Sequence, residues 1–421
     1  MTDGKALASM IDDIDPRPIF IDSKDLHSTW CNTAALQEIG VQDMPNPEGG
    51  EIHRDANGIP SGLLSESAAV TIVWPHIAKV APMEEKLAAL RRAVQAYSAA
   101  GYTGLVEMAM DENGWGALQA LRKQQVSPIR FAVHWLITPR NSEAENLTQV
   151  DRAIELNQQF NAETSPDCRV VGIKVIGDGI IDGCTAGLTE PYTSNGVSCD
   201  PTWSLQELGA VVKKADAAGL QCALHAIGDK TIKLAIDALE QNATAGRRHR
   251  IEHLELASPK DAARLGRLGI TASIQPVHAD PAILRAWPSL LGSTRCERAF
   301  AYTDFASGGA VLALGSDAPT APHAPLGNMY IATTRRSVRE PELEDRVNAH
   351  FALDLAAAIA AATEGSAYSC FADGWAGKLE AGRSADFAVV DMEWDADKLL
   401  QAKVVQTWFS GKKVFDADTV A

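Results

Sequence analysis

The sequence predicts an α/β fold: parallel strands with crossover helices, arranged as a (β/α)8 TIM-type barrel, followed by a small β unit. Three observations predict it. Short β-branched runs alternate with longer amphipathic segments through the middle of the chain, the cadence of βα units. Within the clearest runs bulky side chains share one face and small ones the other. Those runs end in one polar residue on the small-residue side, where barrels carry their chemistry.

The strand-like runs are 101–107, 129–137, 170–176, 221–225, 249–253, 270–275 and 311–317. Helix-like segments lie at 83–100, 113–124, 148–160, 204–218, 230–243, 259–268 and 297–308. Gly219 and Gly269 each precede a strand, where a helix-ending left-handed cap suits glycine. Seven runs are one short of a closed barrel, so the sheet is open and doubly wound or a barrel strand lies elsewhere. Parity favours the barrel. Lys174 shares a face with Gly172 and Val170, His225 with Ala223, and Asp317 with Gly315 and Ala313. The run 249–253 fits less well, because Arg250 and Glu252 are expected on the helix side. Residues 1–80 mix turns with short segments, 81–375 carry the cadence, and 376–421 hold two β-like runs at 385–390 and 404–409.

Composition narrows the function. The 421 residues carry 38 Lys and Arg against 54 Asp and Glu, a formal charge of −16. That balance disfavours a phosphate-backbone reader and an anionic membrane surface. No run approaches the ~18 apolar residues of a membrane span. The 7 cysteines are odd in number, widely spaced and without a CxxC pair, which argues against a disulfide framework and fits a reducing, cytoplasmic setting.

Four strand-end residues carry the chemistry. A lone strand-end histidine such as His225 or His253 is more often packed than ligating, but neighbouring parallel strands put these two on one rim. Asp317 in Gly-Ser-Asp-Ala-Pro ends the last run, where it can also cap a turn. Lys174 is the most informative, because a lysine inside an apolar strand is costly unless paired, neutral or modified. A neutral lysine can take up carbon dioxide to become a carboxylate, and two histidines and an aspartate then complete a divalent metal site, most simply zinc. His249-Arg-Ile-Glu-His253 also matches the H-x-x-E-H peptidase pattern, which chelates zinc only on a helix. In a strand the two histidines stand about 13 Å apart, so the match is read as chance. His134 and Cys222 are read as core.

These residues sit in motifs that resemble the amidohydrolase superfamily, within it the amidohydrolase-3 or YtcJ-like group. The motifs are His27-Ser-Thr-Trp-Cys-Asn32, Asn57-Gly-Ile-Pro-Ser-Gly-Leu63 with Glu66, Ile173-Lys-Val-Ile-Gly-Asp-Gly179, His225-Ala-Ile-Gly-Asp229, Arg250-Ile-Glu-His253, Gln275-Pro-Val-His278, Gly315-Ser-Asp-Ala-Pro319 and Gly377-Lys-Leu-Glu-Ala-Gly382. The resemblance implies a metal-dependent hydrolase of carbon–nitrogen bonds other than peptide bonds. Lys174, His225, His253 and Asp317 are its metal ligands, with Lys174 carboxylated and Asp317 also the proton shuttle. His27, Trp30, His278 and His323 are substrate-side candidates, although a tryptophan there also serves as a packing anchor. The resemblance makes 1–80 a substrate-side insertion of the barrel domain, 81–375 the barrel, and 376–421 part of a small β-sandwich. The expected partners are a small-molecule substrate and a second copy of the chain in a homodimer, with no nucleic acid and no membrane.

The departure from the family is also legible. Its first barrel strand ends in His-x-His, and none of the 10 histidines here are two apart. The chain is therefore expected to lack the first barrel strand and the segment before it. One divalent ion or none is expected instead of two, with poor turnover and exposure of Val170 and Val311. The alternative function is a catalytically impaired relative acting as a binding or structural module.

Overall fold

The structure, a computed structural model, describes residues 6–23, 26–47 and 49–419. They fall into two compact units, one within 1–89 together with 112–121, the other within 90–111 together with 122–421.

The first unit is built on a four-stranded antiparallel sheet: β1 (Phe20–Asp22), β2 (Ser28–Cys31), β3 (Gly50–Arg54) and β4 (Pro60–Glu66), in the order β1-β2-β4-β3. Cys31, Ile52 and Leu64 alternate inward and pack with Ala35, Leu36 and Val73. Asn32 starts the helix Thr33–Glu38, its side-chain oxygen accepting from the Ala35 N–H at 2.8 Å and its amide donating to the Arg17 carbonyl at 2.9 Å. That use of Asn32 is structural: it satisfies an orphan helix donor and pins the incoming chain.

The second unit holds the barrel strands: β5 (Gly104–Met110), β6 (Arg130–Ile137), β7 (Cys168–Ile176), β8 (Gln221–Ala226), β9 (Arg250–His253), β10 (Thr271–Ile274) and β11 (Leu312–Leu314). They form one curled parallel sheet in chain order, seven strands as the sequence cadence predicts, with β5 and β11 at its edges. Helices Glu143–Gln159, Leu205–Ala217, Asp229–Asn242, Pro259–Arg267 and Tyr302–Ser307 fill the crossovers. Ser204 opens one of them with a capping box, its hydroxyl accepting from the Glu207 N–H while the Glu207 carboxylate accepts from the Ser204 N–H at 3.0 Å. Gly219 and Gly269 close two of them at φ +82° and +64°, the conformation expected of them. Gly172 lets β7 approach β8, since a side chain there would run into the Gln221 carbonyl. Among the described residues no helix is long and apolar enough to cross a membrane.

Three sequence expectations are corrected here. Arg250 and Glu252 do not face the helices. Register pairs Arg250 with Ala223 and Glu252 with His225, so both share the inner face with Lys174. Burial is tolerable because they pair with each other, Arg250 donating to the two Glu252 oxygens at 2.7 and 3.2 Å. Strand β11 is short, so Asp317 lies three residues beyond it in a turn at φ +56° and not on a strand face. Val170 is fully buried and Val311 half-buried, neither of them exposed.

Strands β12 (Phe387–Asp391), β13 (Lys403–Phe409) and β14 (Lys412–Asp416) form a separate antiparallel sheet. It is tied to the barrel strands by Arg130, which pairs with Asp386 and lies over the Phe409 ring at 4.4 Å. The Thr407 hydroxyl donates to the Ser98 carbonyl at 2.6 Å. Its outer strand stays partly uncovered, Val389 being 39 % exposed.

Candidate metal centre at the strand ends

The C-terminal ends of β8 to β11 bring one histidine after another to the same place. His225 is next to last in β8 and His253 ends β9, and their rings lie 4.3 Å apart. The chain leaving β10 turns at Pro276–Ala279 and presents His278, whose ring is 5.7 Å from that of His253. His278 Nε2 meets Asp317 Oδ2 at 3.1 Å. One ligand atom from each of His253, His278 and Asp317 falls within 4.8 Å of the other two. His253 reaches the cluster by leaving strand geometry, with φ +75° followed by Leu254 at +55°. Two non-glycine residues in the left-handed region are strained, and such strain concentrates at functional sites.

The electrostatics suit a cation. Burial drives the His253 pKa down to about 3, with the Asp317 charge only partly opposing it, so the ring is neutral and able to ligate. Burial raises the Asp317 pKa, but the His278 hydrogen bond and the two imidazoles outweigh it, holding the carboxyl well below its ordinary range. The reverse balance raises His278, whose desolvation is more than offset by Asp317. His253 Nδ1 is buried and makes no hydrogen bond among the described residues. Lys174, 5 % exposed on β7, makes no hydrogen bond or ion pair among them either. Its burial lowers its pKa against the pull of Glu252, Asp317 and Glu107.

The other candidates separate. His323 packs edge-on to Tyr97 at 5.2 Å, and its carbonyl accepts the Tyr102 hydroxyl at 2.7 Å. His27 and Trp30 belong to the first unit, where His27 Nδ1 meets Glu66 Oε2 at 2.7 Å and Trp30 Nε1 donates to the Leu7 carbonyl at 3.0 Å. His249 turns away from His253: its Nδ1 accepts from the Cys222 N–H at 2.9 Å and its Nε2 meets Asp216 Oδ1 at 3.1 Å. The peptidase-like spacing therefore lies in a strand and builds no site. His134 is core, its Nε2 2.8 Å from Gln221 Oε1.

Sequence reasoning missed two buried carboxyls. Asp178 accepts from the N–H groups of Gly187, Ile227 and Gly228 at 2.9–3.0 Å, and its Oδ1 lies 3.5 Å from His225 Nε2. Its signal was present in the Gly-Asp-Gly that follows β7. Glu255 is pushed up to about 8 by burial and approaches His253 Nδ1 at 3.9 Å. Nothing in its local sequence distinguishes it from a solvated glutamate.

The donor set of two imidazoles and an ionised carboxylate, with a buried imidazole nitrogen awaiting a partner, fits a borderline divalent cation.

Comparisons with known proteins bear on the family and the fold. Residues 3–415 match the model of a family described as the Amidohydrolase family. The chain is 31 % identical over 430 residues to "Protein LONG AFTER FAR-RED 3" of Arabidopsis thaliana, spanning 97 % of this chain and 71 % of that protein. It is 29 % identical to "Putative amidohydrolase YtcJ" of Bacillus subtilis, over 95 % and 74 % of the two chains. It is 24 % identical to the N-substituted formamide deformylase of Arthrobacter pascens, again over 95 % and 74 %. The fold matches the crystal structure of an uncharacterized metal-dependent hydrolase from Pyrococcus horikoshii, with TM-score 0.73 and 23 % identity over 90 % of this chain and 72 % of that one.

Proposed function

This chain belongs to the amidohydrolase family, and on that premise we propose that it hydrolyses a C–N bond in a small amide-type compound at a divalent metal centre, zinc being the simplest fit. The observation that carries the reading is the convergence of His253, His278 and Asp317 donor atoms within 4.8 Å. Those three residues would hold the ion, with His225 beside His253 and a carboxylated Lys174 completing the set. A metal there supplies a more acidic water and a polarised substrate carbonyl.

The remaining chemistry belongs to the chain. Asp317, ionised and 35 % exposed at its side chain, takes a proton from water and returns it to the leaving nitrogen. The Thr320 hydroxyl donates to Asp317 Oδ2 at 2.9 Å and fixes the carboxylate rotamer. Burial disfavours the charged form of Lys174, and carbon dioxide added to its unprotonated nitrogen, with loss of one proton, would make it an anionic ligand. His323 is the substrate-side group of this unit. The N-substituted formamide acted on by one relative makes formamides the first compounds to try.

The test is hydrolysis of a panel of N-formyl and N-acyl amines by the zinc-loaded chain, followed by chelation and by Asp317→Asn. Amine release that both treatments abolish supports the proposal. Release that survives both overturns it. Metal binding without amine release from any compound would favour instead a module that binds without turnover.

A further inference from the structure

The strained conformation of His253 needs something to hold it. Its own N–H points to Gln275, whose Oε1 accepts at 3.0 Å. Gln275 is itself buried, at 6 % exposure, in the turn between β10 and His278. A primary amide has two faces, and an isolated glutamine can present either one. Here the surroundings decide. The Gln275 NH2 lies 3.4 Å from Glu252 Oε2 and 3.4 Å from Ser273 Oγ. Glu252 is engaged by two Arg250 N–H groups, and Arg250 also donates to Ser273 Oγ at 2.8 Å and Ser369 Oγ at 2.9 Å. A carboxylate so engaged offers only acceptors, so the glutamine NH2 must face it and the glutamine oxygen must face His253.

We propose that Gln275 is a positioning residue: oriented by the Arg250–Glu252 pair, it clamps the His253 backbone in the left-handed conformation that carries the imidazole into the cluster. The relay accounts for the two charges that strand parity left unexplained. They lie under the site as the fixed end of the clamp. It also explains why an amide stands at 275: a carboxylate there would oppose Glu252, and an apolar side chain would leave the His253 N–H buried without an acceptor.

The inference rests on the metal-site reading for only one arm of its test. The variant is Gln275→Met, close in volume and unable to accept. Gln275→Asn, too short to span Glu252 and His253, serves if the first does not fold. The control is Gln221→Met, a buried amide of the same sheet that donates to the Ser369 carbonyl at 2.9 Å. Crystal structures of the variants read the His253 backbone directly, and competition with a chromophoric chelator reads zinc affinity. In the Gln275 variants His253 is expected to leave positive φ or swing its ring out of the cluster. Their zinc affinity is expected to fall 10–100-fold, the range for losing a group that orients a ligand. In Gln221→Met, His253 and zinc affinity are expected unchanged, even with a comparable drop in Tm. An unmoved His253 in a Gln275 variant, or an equal loss of affinity in Gln221→Met, overturns the proposal. A wild-type chain that binds no zinc refutes the metal reading instead, and the crystallographic arm still decides on Gln275.

Discussion

Replacing Asp178 should cost more stability than any single exposed ion pair in the molecule. Its carboxylate is 2 % exposed and accepts three backbone N–H groups, one at Oδ1 from Ile227 and two at Oδ2 from Gly187 and Gly228. These come from two separate loops, so the residue ties the segment after β7 to the segment after β8. Asp178→Ala leaves three buried donors without acceptors, at about 1–3 kcal/mol each. The sum, roughly 3–9 kcal/mol, is comparable to the whole stability of an ordinary domain, about 5–15 kcal/mol. Asp178→Asn keeps one oxygen, which can serve the Gly187 and Gly228 donors, while its NH2 turns on the Ile227 N–H. It should lose about 1–3 kcal/mol, one donor's worth. Urea titrations followed by circular dichroism, with equal m-values across the variants, measure both. An Asp178→Ala chain within about 1 kcal/mol of wild type would show that water replaces the carboxylate and that the tie between the loops is not its work.

Other consequences are as direct. His278→Ala leaves the trio with two donors, so zinc affinity by competition should fall by more than the ~100-fold typical of losing a supporting group. Zinc at 100 times its Kd should raise unfolding free energy by about 2.7 kcal/mol in the wild type, and Asp317→Ala should lose most of that increment in a denaturant titration. His134 is depressed to about 3, mainly by burial, against an ordinary value of 6.5. Its unfolded form therefore takes up a proton first as pH falls. Its contribution is intact above 6.5 and is lost progressively toward 3, on the order of 5 kcal/mol in all. His134→Gln should flatten the stability profile between pH 6.5 and 4.5, and an unchanged slope would refute the assignment. Gly172→Ala drives a methyl into the Gln221 carbonyl and should lower Tm sharply or prevent folding.

The barrel was legible because its signal is periodic. Strands β6 to β10 fall within two residues of the runs read from β-branched residues and parity. The edges were less legible. Strand β5 begins at Gly104, three residues later than its run, and β11 stops at Leu314, because an edge strand answers to one neighbour only. Parity assigned Lys174 and His225 correctly to the inner face and misassigned Arg250 and Glu252. Taking His253 as inward put both on the helix side, whereas register pairs them with Ala223 and His225 on the inner face. His278 was visible as a rim residue, but its approach to Asp317 depends on a turn at Pro276–Ala279 that periodicity does not encode. Glu255 was beyond reach for the same reason, whereas Asp178 left a signal in Gly177-Asp-Gly179 but joins loops that meet only in three dimensions.

The central claim is that His253, His278 and Asp317 form one divalent metal centre that drives amide hydrolysis. Equilibrium dialysis against zinc, with metal content measured per chain in the wild type and in His253→Ala/His278→Ala/Asp317→Ala, tests it most directly. The account predicts one tightly retained zinc in the wild type and none in the triple variant, provided the variant's circular dichroism matches. Zinc retained equally by the triple variant would place the metal elsewhere and contradict the account.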